Sequence, residues 1–242
     1  GRIALRFWRK DPKVWDKGGE HGPVTEADLA VNDMLKARLL EARPSYGWLS
    51  EETPDDPARL SCENVFIIDP IDGTRAFVAG EEHFAHSLAV AHQGRVVAGV
   101  VYLPALDRLY AAATGIAPTV NGAKFRASTR QELTGADILT TKASLQPEKW
   151  PGGVPDIQRH FRASLAWRMC LAAEGRFDGM LTLRPAWEWD IAAGSLIAEK
   201  AGLTVTDRMG AALIFNTPQA RSDGVLALPA GPHAQALQLM HP

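Results

Sequence analysis

The feature that most constrains the fold is a short apolar run that ends in two aspartates. Val65-Phe66-Ile67-Ile68 is rich in β-branched and aromatic side chains, which is typical of a buried strand. It is followed at once by Asp69-Pro70-Ile71-Asp72-Gly73-Thr74. Pro70 fixes φ between the two carboxylates, and Gly73 allows the chain to reverse tightly. We therefore predict that a buried strand carries both aspartates to the edge of a sheet.

Two carboxylates held this close together repel each other, and burial increases the repulsion. A bound divalent cation would keep Asp69 and Asp72 ionised, and a site built from oxygen ligands favours Mg²⁺ or Mn²⁺ over zinc. The alternative is that the two aspartates cap a turn or the following helix. Both interpretations remain open from these two residues alone.

Further polar residues lie close to this segment in the predicted fold. Glu51-Glu52 forms a second acidic pair on the loop before the strand, and Asp190 stands at the predicted start of a helix. Each has an ordinary explanation, as a solvated pair or a helix cap. Strand exits and helix entries are nevertheless where open α/β sheets place their sites. The hydroxyl of Thr74 and the neighbouring N–H groups could hold an anion, so the combination indicates a phosphate substrate.

Composition excludes several other classes of protein. The 242 residues carry a formal net charge of −2, without the basic balance of a nucleic-acid-binding domain. No run approaches the ~18 apolar residues of a membrane span. Cys62 and Cys170 are too few for a disulfide framework or a zinc site, so we expect a reducing, cytoplasmic location. Glycine-rich nucleotide-binding loops are absent from the sequence.

The predicted elements divide the chain into two halves. Residues 1–130 are expected to form an α+β half that carries the metal-binding segment from Asp69 to Thr74, here called the acidic loop. Residues 131–242 are expected to form an α/β half, and the two make one compact unit. Residues 3–8 have the pattern of the second half of an amphipathic helix, so we expect further residues before Gly1. The other predicted elements are a helix from the capping box at Thr25 to Pro44, strands at 84–91, 96–103 and 109–112, a hairpin at Asn121-Gly122, helices at 161–174 and 190–201, strands at 177–183, 203–206 and 225–228, and a short terminal helix.

The histidines add little at this stage. His83 and His86 follow the acidic loop in the sequence, and they either line a cleft beside it or are ordinary strand residues; the second interpretation is favoured. His21, His160 and His241 are expected at the surface.

The motifs together resemble the inositol monophosphatase superfamily of Mg²⁺-dependent, lithium-sensitive phosphomonoesterases. The resemblance rests on Ile68-Asp-Pro-Ile-Asp-Gly-Thr74, on Glu51-Glu52 upstream and on Trp189-Asp190-Ile-Ala-Ala-Gly194 downstream. It extends over nearly the whole chain, including Arg176-Phe-Asp-Gly179. It implies a five-layer αβαβα sandwich of the inositol monophosphatase and fructose-1,6-bisphosphatase type. It also implies a small phosphorylated metabolite as substrate, with neither nucleic acid nor membrane as partner, and a homodimer, as in many relatives.

The resemblance further implies roles for individual residues. Glu51 and Thr74 would orient the attacking water. Asp28 would reach a further cation through water, although its place in the capping box is sufficient to explain it. The implied ligands of two or three Mg²⁺ ions, with Mn²⁺ as a substitute, are Glu51, Asp69, Asp72, Asp190 and the backbone carbonyl of Ile71. The residues implied to bind substrate are Lys17, Asp72, Gly73, Thr74, Ser164, Arg184 and Asp190.

Within the superfamily, the motifs are most similar to those of bacterial 3'(2'),5'-bisphosphate nucleotidases. The similar segments are Leu49-Ser50-Glu51-Glu52, the run from Asp55 to Leu60 and Trp187-Glu188-Trp189-Asp190. We therefore expect hydrolysis of the 3'-phosphate of 3'-phosphoadenosine 5'-phosphate to give AMP and phosphate. Trp187 and Trp189 would flank the adenine or pack in the core, and Arg184 would meet the second phosphate.

Alternative substrates and roles remain. Inositol phosphatases carry a Glu at a position that falls near Thr182 here, so the carboxylate acceptor for inositol hydroxyls is missing. The segment from Asp72 to Phe77 also looks like that of histidinol-phosphate phosphatases. Inositol 1-phosphate and histidinol phosphate are thus the alternative substrates. A catalytically silent metal-binding regulator is the alternative of another class, and the intact acidic positions oppose it.

Overall fold

The computed structural model describes residues 1–18 and 22–242, so the expected surface position of His21 lies outside the described residues. None of the helices in the described ranges is long and apolar enough to cross a lipid bilayer. The helices are α1 (Arg2–Phe7), α2 (Glu26–Ala42), α3 (Thr74–Val78), α4 (Leu165–Ala173), α5 (Glu188–Ala201) and α6 (Ala230–Met240), with 3₁₀ turns at Pro57–Ser61, Lys142–Leu145 and Pro147–Lys149.

The first half of the chain forms a large, mostly antiparallel sheet. A short ribbon of β1 (Val14–Asp16) and β2 (Pro23–Thr25) precedes it. The sheet has seven strands in sequence order, of which the first two are parallel and the others antiparallel. They are β3 (Gly47–Ser50), β4 (Asn64–Asp72), β5 (Ala85–His92), β6 (Arg95–Leu103), β7 (Arg108–Ala113), β8 (Ile116–Val120) and β9 (Ala123–Lys124).

The second half forms a smaller, mixed sheet. Its strands are β10 (Asp137–Leu139), β11 (Gln158–His160), β12 (Gly179–Thr182), β14 (Thr204–Thr206) and β16 (Val225–Leu228), in the order β11-β10-β12-β16-β14. A separate antiparallel pair consists of β13 (Ala186–Trp187) and β15 (Arg221–Ser222). The helices α4 and α5 from this half contact both sheets, so the division of the chain at residue 130 stays a prediction.

Side-chain alternation along β16 shows how the layers stack. Val225 and Ala227 belong to the central core with α4 and α5, whereas Leu226 and Leu228 pack in a separate cluster with α6. The residues of α1 and α2 form a third cluster with Ile71. The order of layers is therefore α1 and α2, the large sheet, α4 and α5, the small sheet, and α6. This is the predicted αβαβα sandwich.

The helix boundaries follow local chemistry and correct two predictions. Thr25 caps α2 through a capping box with Asp28, as predicted. The helix expected from residue 161 begins only at Leu165, because Ser164 is its N-cap. Helix α5 begins at Glu188 rather than at Asp190, which places the Asp190 carboxylate inside the first turn.

Helix α5 lies unusually close to the large sheet at Gly99 of β6. A Cβ atom at this position would lie 2.9 Å from the carbonyl oxygen of Ala193, so only glycine fits without movement of the helix. The chain segment that carries Asp190 is therefore packed directly against the sheet that carries Asp69.

We expect Gly99→Ala to destabilise the protein by about 1–3 kcal/mol, because the added methyl group overpacks the contact with α5. Ala98→Val is the matched control, since the adjacent residue faces the other side of β6 and is only half-buried. Equilibrium unfolding in urea measures both changes. Equal stability of Gly99→Ala and the unaltered protein would show that α5 adjusts at no cost.

Candidate active site

A bulge in β4 brings the two aspartates of the acidic loop to the same side of the sheet. In a regular strand, residues three apart point to opposite faces. Here Asp69 pairs with Ser87 and Asp72 pairs with Ala85, so β4 holds one residue more than β5 between these pairs. The extra residue reverses the alternation, and both carboxylates face one cavity.

The third carboxylate comes from α5. Oxygen atoms of Asp69, Asp72 and Asp190 all lie within 4.8 Å of one another. Asp69 and Asp72 are buried, and Asp190 is half-buried. These side chains therefore converge from two layers of the sandwich onto one small volume.

The electrostatics of this triad fit a divalent cation. Burial raises the pKa of Asp69 well above its usual range, and repulsion from Glu51 and Asp72 raises it further. Burial and the charge of Asp72 have the same effect on the pKa of Asp190. A cluster of oxygen donors whose charges oppose one another is what a hard divalent cation neutralises. The residues present thus fit the metal that the sequence predicts.

Asp72 is oriented by the start of α4. Its Oδ2 atom accepts hydrogen bonds from Ser164 Oγ at 2.7 Å and from the Ala166 N–H at 2.6 Å. Ser164 Oγ also accepts from the Trp167 N–H at 3.0 Å, as the N-cap. Ser164 is buried, and its hydroxyl both donates to Asp72 and accepts from Trp167. Its role in the structure is therefore to orient Asp72. Its direct contact with substrate stays a prediction.

Glu51 lies at the end of β3 and meets a lysine. Lys17 Nζ donates to Glu51 Oε1 and to Glu52 Oε1, at 2.8 Å in each case. Burial raises the pKa of Glu51 to about 7, although the charge of Lys17 opposes the shift. Lys17 therefore balances an acidic pair at the edge of the cavity.

Asp28 combines its capping role with a contact to the acidic loop. Its Oδ2 atom accepts from the Thr25 N–H at 2.9 Å, and its Oδ1 atom lies 3.1 Å from Thr74 Oγ1. Thr74 Oγ1 also lies 3.0 Å from the carbonyl oxygen of Ile71. Since a hydroxyl has one proton, Thr74 donates to one of these acceptors at a time. Burial raises the pKa of Asp28 to about 6.

The turn after the aspartates requires glycine. Gly73 has a φ of 100°, and a Cβ atom there would lie 2.9 Å from the carbonyl oxygen of His83. Gly73 and Thr74, at the start of α3, line the cavity that the carboxylates face, which measures about 550 Å³. A second cavity of about 430 Å³ adjoins it and shares Glu51, Trp187 and Trp189 with it.

Three arginines line the larger cavity, of which the sequence predicted Arg184 alone. Arg168 is buried and donates to the carbonyl oxygens of Arg162 and Ala163, and burial lowers its pKa to about 10. Arg75 and Arg184 are exposed. Arg75 could have been predicted from the sequence, because it directly follows Thr74 of the predicted anion site. The cavity thus combines a carboxylate cluster with cationic walls.

The aromatic pair and Thr182 bear on the choice of substrate. The rings of Trp187 and Trp189 stack on each other, with centroids 4.6 Å apart and planes 12° apart. The guanidinium of Arg221 lies 3.6 Å from the centroid of the Trp187 ring. No slot for a base exists between the two indoles. Thr182, near which the Glu position of inositol phosphatases is predicted to fall, is buried and has no carboxylate.

Comparisons with known proteins by family model, by sequence and by structure agree with one another. Residues 1–240 match the model of the inositol monophosphatase family. The chain is 36% identical to an inositol-1-monophosphatase of Rhizobium meliloti, over 77% of this chain and 73% of the relative. It is 31% identical to the Nus factor SuhB of Haemophilus influenzae, over 85% and 79%. The solved structure of an IMPase from Thermotoga maritima superposes with a TM-score of 0.84 at 27% identity, over 99% of this chain and 91% of that one.

We expect the chelator-treated protein to lose stability as the pH rises. The raised pKa values of Asp28, about 6, and Glu51, about 7, mean that the folded state binds more protons than the unfolded state. Their contribution is fully present below the unfolded values near pH 4 and is lost as the pH rises through 6 and 7. In EDTA, the melting temperature should therefore be about 5 °C or more lower at pH 8 than at pH 5.

Saturating Mg²⁺ should reduce this difference, because the cation stabilises the ionised carboxylates. Glu51→Gln is the matched variant, since it removes one titrating group and should make the decline in EDTA shallower. A melting temperature in EDTA that rises between pH 5 and pH 8 would contradict the assignment of raised pKa values.

Proposed function

Because the chain belongs to the inositol monophosphatase family, whose members are metal-dependent phosphatases, we propose that it hydrolyses the 3'-phosphate of 3'-phosphoadenosine 5'-phosphate. The observation that carries the choice of substrate is the pair of exposed arginines, Arg75 and Arg184, in the wall of the cavity that contains the carboxylates. A substrate with a second phosphate fits such a cavity, because guanidinium groups suit phosphate oxygens.

The proposed metal ligands are the residues that the sequence indicated. Glu51, Asp69, Asp72, Asp190 and the carbonyl of Ile71 would hold two or three divalent cations, for which we propose Mg²⁺ with Mn²⁺ as a substitute. Such cations, when bound, lower the pKa of water and neutralise charge on the phosphate and the leaving oxygen. Ser164 and the Ala166 N–H keep Asp72 in position for this role.

The remaining groups of the site act on the water and the phosphate. We propose that Glu51 accepts the proton of the attacking water, with Thr74 orienting that water. Glu51 lines the same cavity as Asp69, Asp72 and Asp190, which supports this role. Asp28 supports this arrangement through its contact with Thr74. The N–H groups of Gly73 and Thr74 would hold the phosphate, and Lys17 would add positive charge at the rim.

The leaving group would extend towards the paired indoles. Since Trp187 and Trp189 stack on each other, an adenine would lie against the edges of the pair rather than between the rings. The adjoining cavity of about 430 Å³, beside the same two rings, offers room for it. Arg184 would meet the 5'-phosphate.

Inositol 1-phosphate is the second candidate substrate. The relative from Rhizobium meliloti with 36% identity is named an inositol-1-monophosphatase, which favours it. The resemblance opposes it, because the predicted position of the inositol-binding Glu falls near Thr182, which is buried and has no carboxylate. Histidinol phosphate carries an ammonium group, which the exposed arginines disfavour. A silent regulator is disfavoured because the acidic groups converge on one cavity. A homodimer and a cytoplasmic location stay predictions.

Steady-state kinetics with Mg²⁺ on 3'-phosphoadenosine 5'-phosphate, adenosine 3'-monophosphate, inositol 1-phosphate and histidinol phosphate test the choice of substrate. The bisphosphate should have the highest kcat/KM. Arg184→Ala should lower kcat/KM for the bisphosphate about 10-fold or more and leave that for adenosine 3'-monophosphate nearly unchanged, because only the bisphosphate has the second phosphate. Arg176→Ala, outside this cavity, is the matched control. A kcat/KM for inositol 1-phosphate equal to that for the bisphosphate would reject the proposal.

Asp69→Asn tests the metal assignment separately. It removes a charged oxygen ligand with little change of shape, so we expect folded protein with kcat reduced at least about 100-fold. Near-ultraviolet circular dichroism checks the fold, and isothermal titration with Mg²⁺ checks cation binding. Retention of more than a tenth of the original kcat, at any Mg²⁺ concentration, would remove Asp69 from the ligand set.

A further inference from the structure

We infer that His86 is a positioning residue, which locks the bulge of β4 and thereby sets the spacing of the groups proposed to hold the cations. The inference rests on the proposed function for its catalytic consequence, but its structural content can be measured by cation binding alone. His86 belongs to β5, the strand next to the acidic loop, and is 4% exposed.

A side chain contacts the main chain of β4 where the bulge interrupts the regular pairing with β5. Between the pairs Asp69 with Ser87 and Asp72 with Ala85, the regular ladder is interrupted and His86 lies opposite Pro70 and Ile71. Pro70 has no N–H group and cannot donate to a ladder. The ring nitrogen Nδ1 of His86 forms a hydrogen bond with the carbonyl oxygen of Pro70. A side chain of the neighbouring strand thus hydrogen-bonds the main chain within the bulge.

The chemistry of this contact fixes the state of the imidazole. A carbonyl oxygen only accepts, so the proton must be on Nδ1. Nε2 of His86 is buried and has no hydrogen-bond partner among the described residues. A second proton there would place an unpaired charge in the interior, and burial accordingly lowers the pKa of His86 to about 4. His86 is therefore a neutral donor with a single tautomer.

The other side chains that hold the bulge come from the loop itself or its following helix. Asp69 Oδ1 accepts from the Ile71 N–H at 2.9 Å, and Thr74 Oγ1 lies 3.0 Å from the Ile71 carbonyl oxygen. Both contacts could move together with the loop. The contact from His86 is different, because β5 is anchored by β4 on one side and β6 on the other. It ties the Pro70 peptide group to the rigid part of the large sheet.

The consequence concerns the metal site. The peptide group that carries the Pro70 carbonyl also carries the Ile71 N–H, which donates to Asp69 Oδ1. Rotation of this peptide group would therefore break the hydrogen bond that orients the Asp69 carboxylate. Loss of the His86 donor would also remove its hydrogen bond to the buried Pro70 carbonyl, which favours such a rotation. Groups that hold metal ligands in place typically change metal affinity about 10–100-fold when removed.

Three variants separate the hydrogen bond from the shape of the side chain. His86→Leu removes the donor but keeps an apolar side chain of similar size. His86→Asn keeps an N–H donor near the position of Nδ1. His92→Leu is the matched control, because His92 Nδ1 hydrogen-bonds Asn64 Oδ1 across the same strand pair at its far end. Isothermal titration of each folded protein with Mn²⁺, together with kcat and thermal unfolding, gives the comparison.

We expect His86→Leu to weaken Mn²⁺ binding about tenfold or more and to lower kcat, whereas His86→Asn stays within about threefold of the unaltered protein. His92→Leu should leave Mn²⁺ affinity unchanged even where it lowers the melting temperature. Unchanged Mn²⁺ affinity of His86→Leu, or equal loss in the Leu and Asn variants, would overturn the inference.

Nitrogen-15 NMR of the imidazole in the unaltered protein gives a test that needs no variant to fold. The inference expects a neutral ring with the proton on Nδ1 at pH 7, and a proton on Nε2 would overturn it. If the unaltered protein binds Mn²⁺ but hydrolyses none of the offered phosphate esters, the proposed function fails. The effect of His86 on Mn²⁺ affinity is still measured in that case.

Discussion

The structure of this protein depends on holding three mutually repelling carboxylates close together. Asp69, Asp72 and Asp190 have carboxylate oxygens within 4.8 Å of one another, in an environment that raises their pKa values. No local sequence preference brings like charges together in the interior. The energy to do so comes from the burial of apolar residues elsewhere in the sandwich, and a bound cation would offset part of the repulsion.

The layers explain how these charges are kept in place. β4 supplies two carboxylates through its bulge, and α5 supplies the third from a position fixed by close packing on Gly99. The start of α4 directs two hydrogen-bond donors at Asp72. Both helices lie between the two sheets, so the site is built where the two halves of the chain meet. An arrangement of side chains held by two packed layers is more rigid than one held by loops.

The net charge of −2 hides an uneven local distribution of charged side chains. The acidic groups lie in one cavity, and Arg75, Arg168 and Arg184 line the same walls. With the cations absent, burial raises several carboxyl pKa values, so protons reduce the negative charge as well. The sign of the electrostatic potential in this cavity thus depends on what is bound to the carboxylates.

Local sequence patterns were sufficient to predict those elements that depend on neighbouring residues. The apolar run before Asp69 predicted a buried strand, the Thr25 capping box predicted the start of α2, and Asn121-Gly122 predicted a hairpin. Motif resemblance predicted the layered sandwich and the acidic groups. The tertiary structure alone decided that Asp69 and Asp72 face the same side, that Ser164 orients Asp72, and that the two indoles stack on each other. The reason is physical: a register shift, a helix approach or a ring stack depends on residues far apart in the chain, and no local spacing records it.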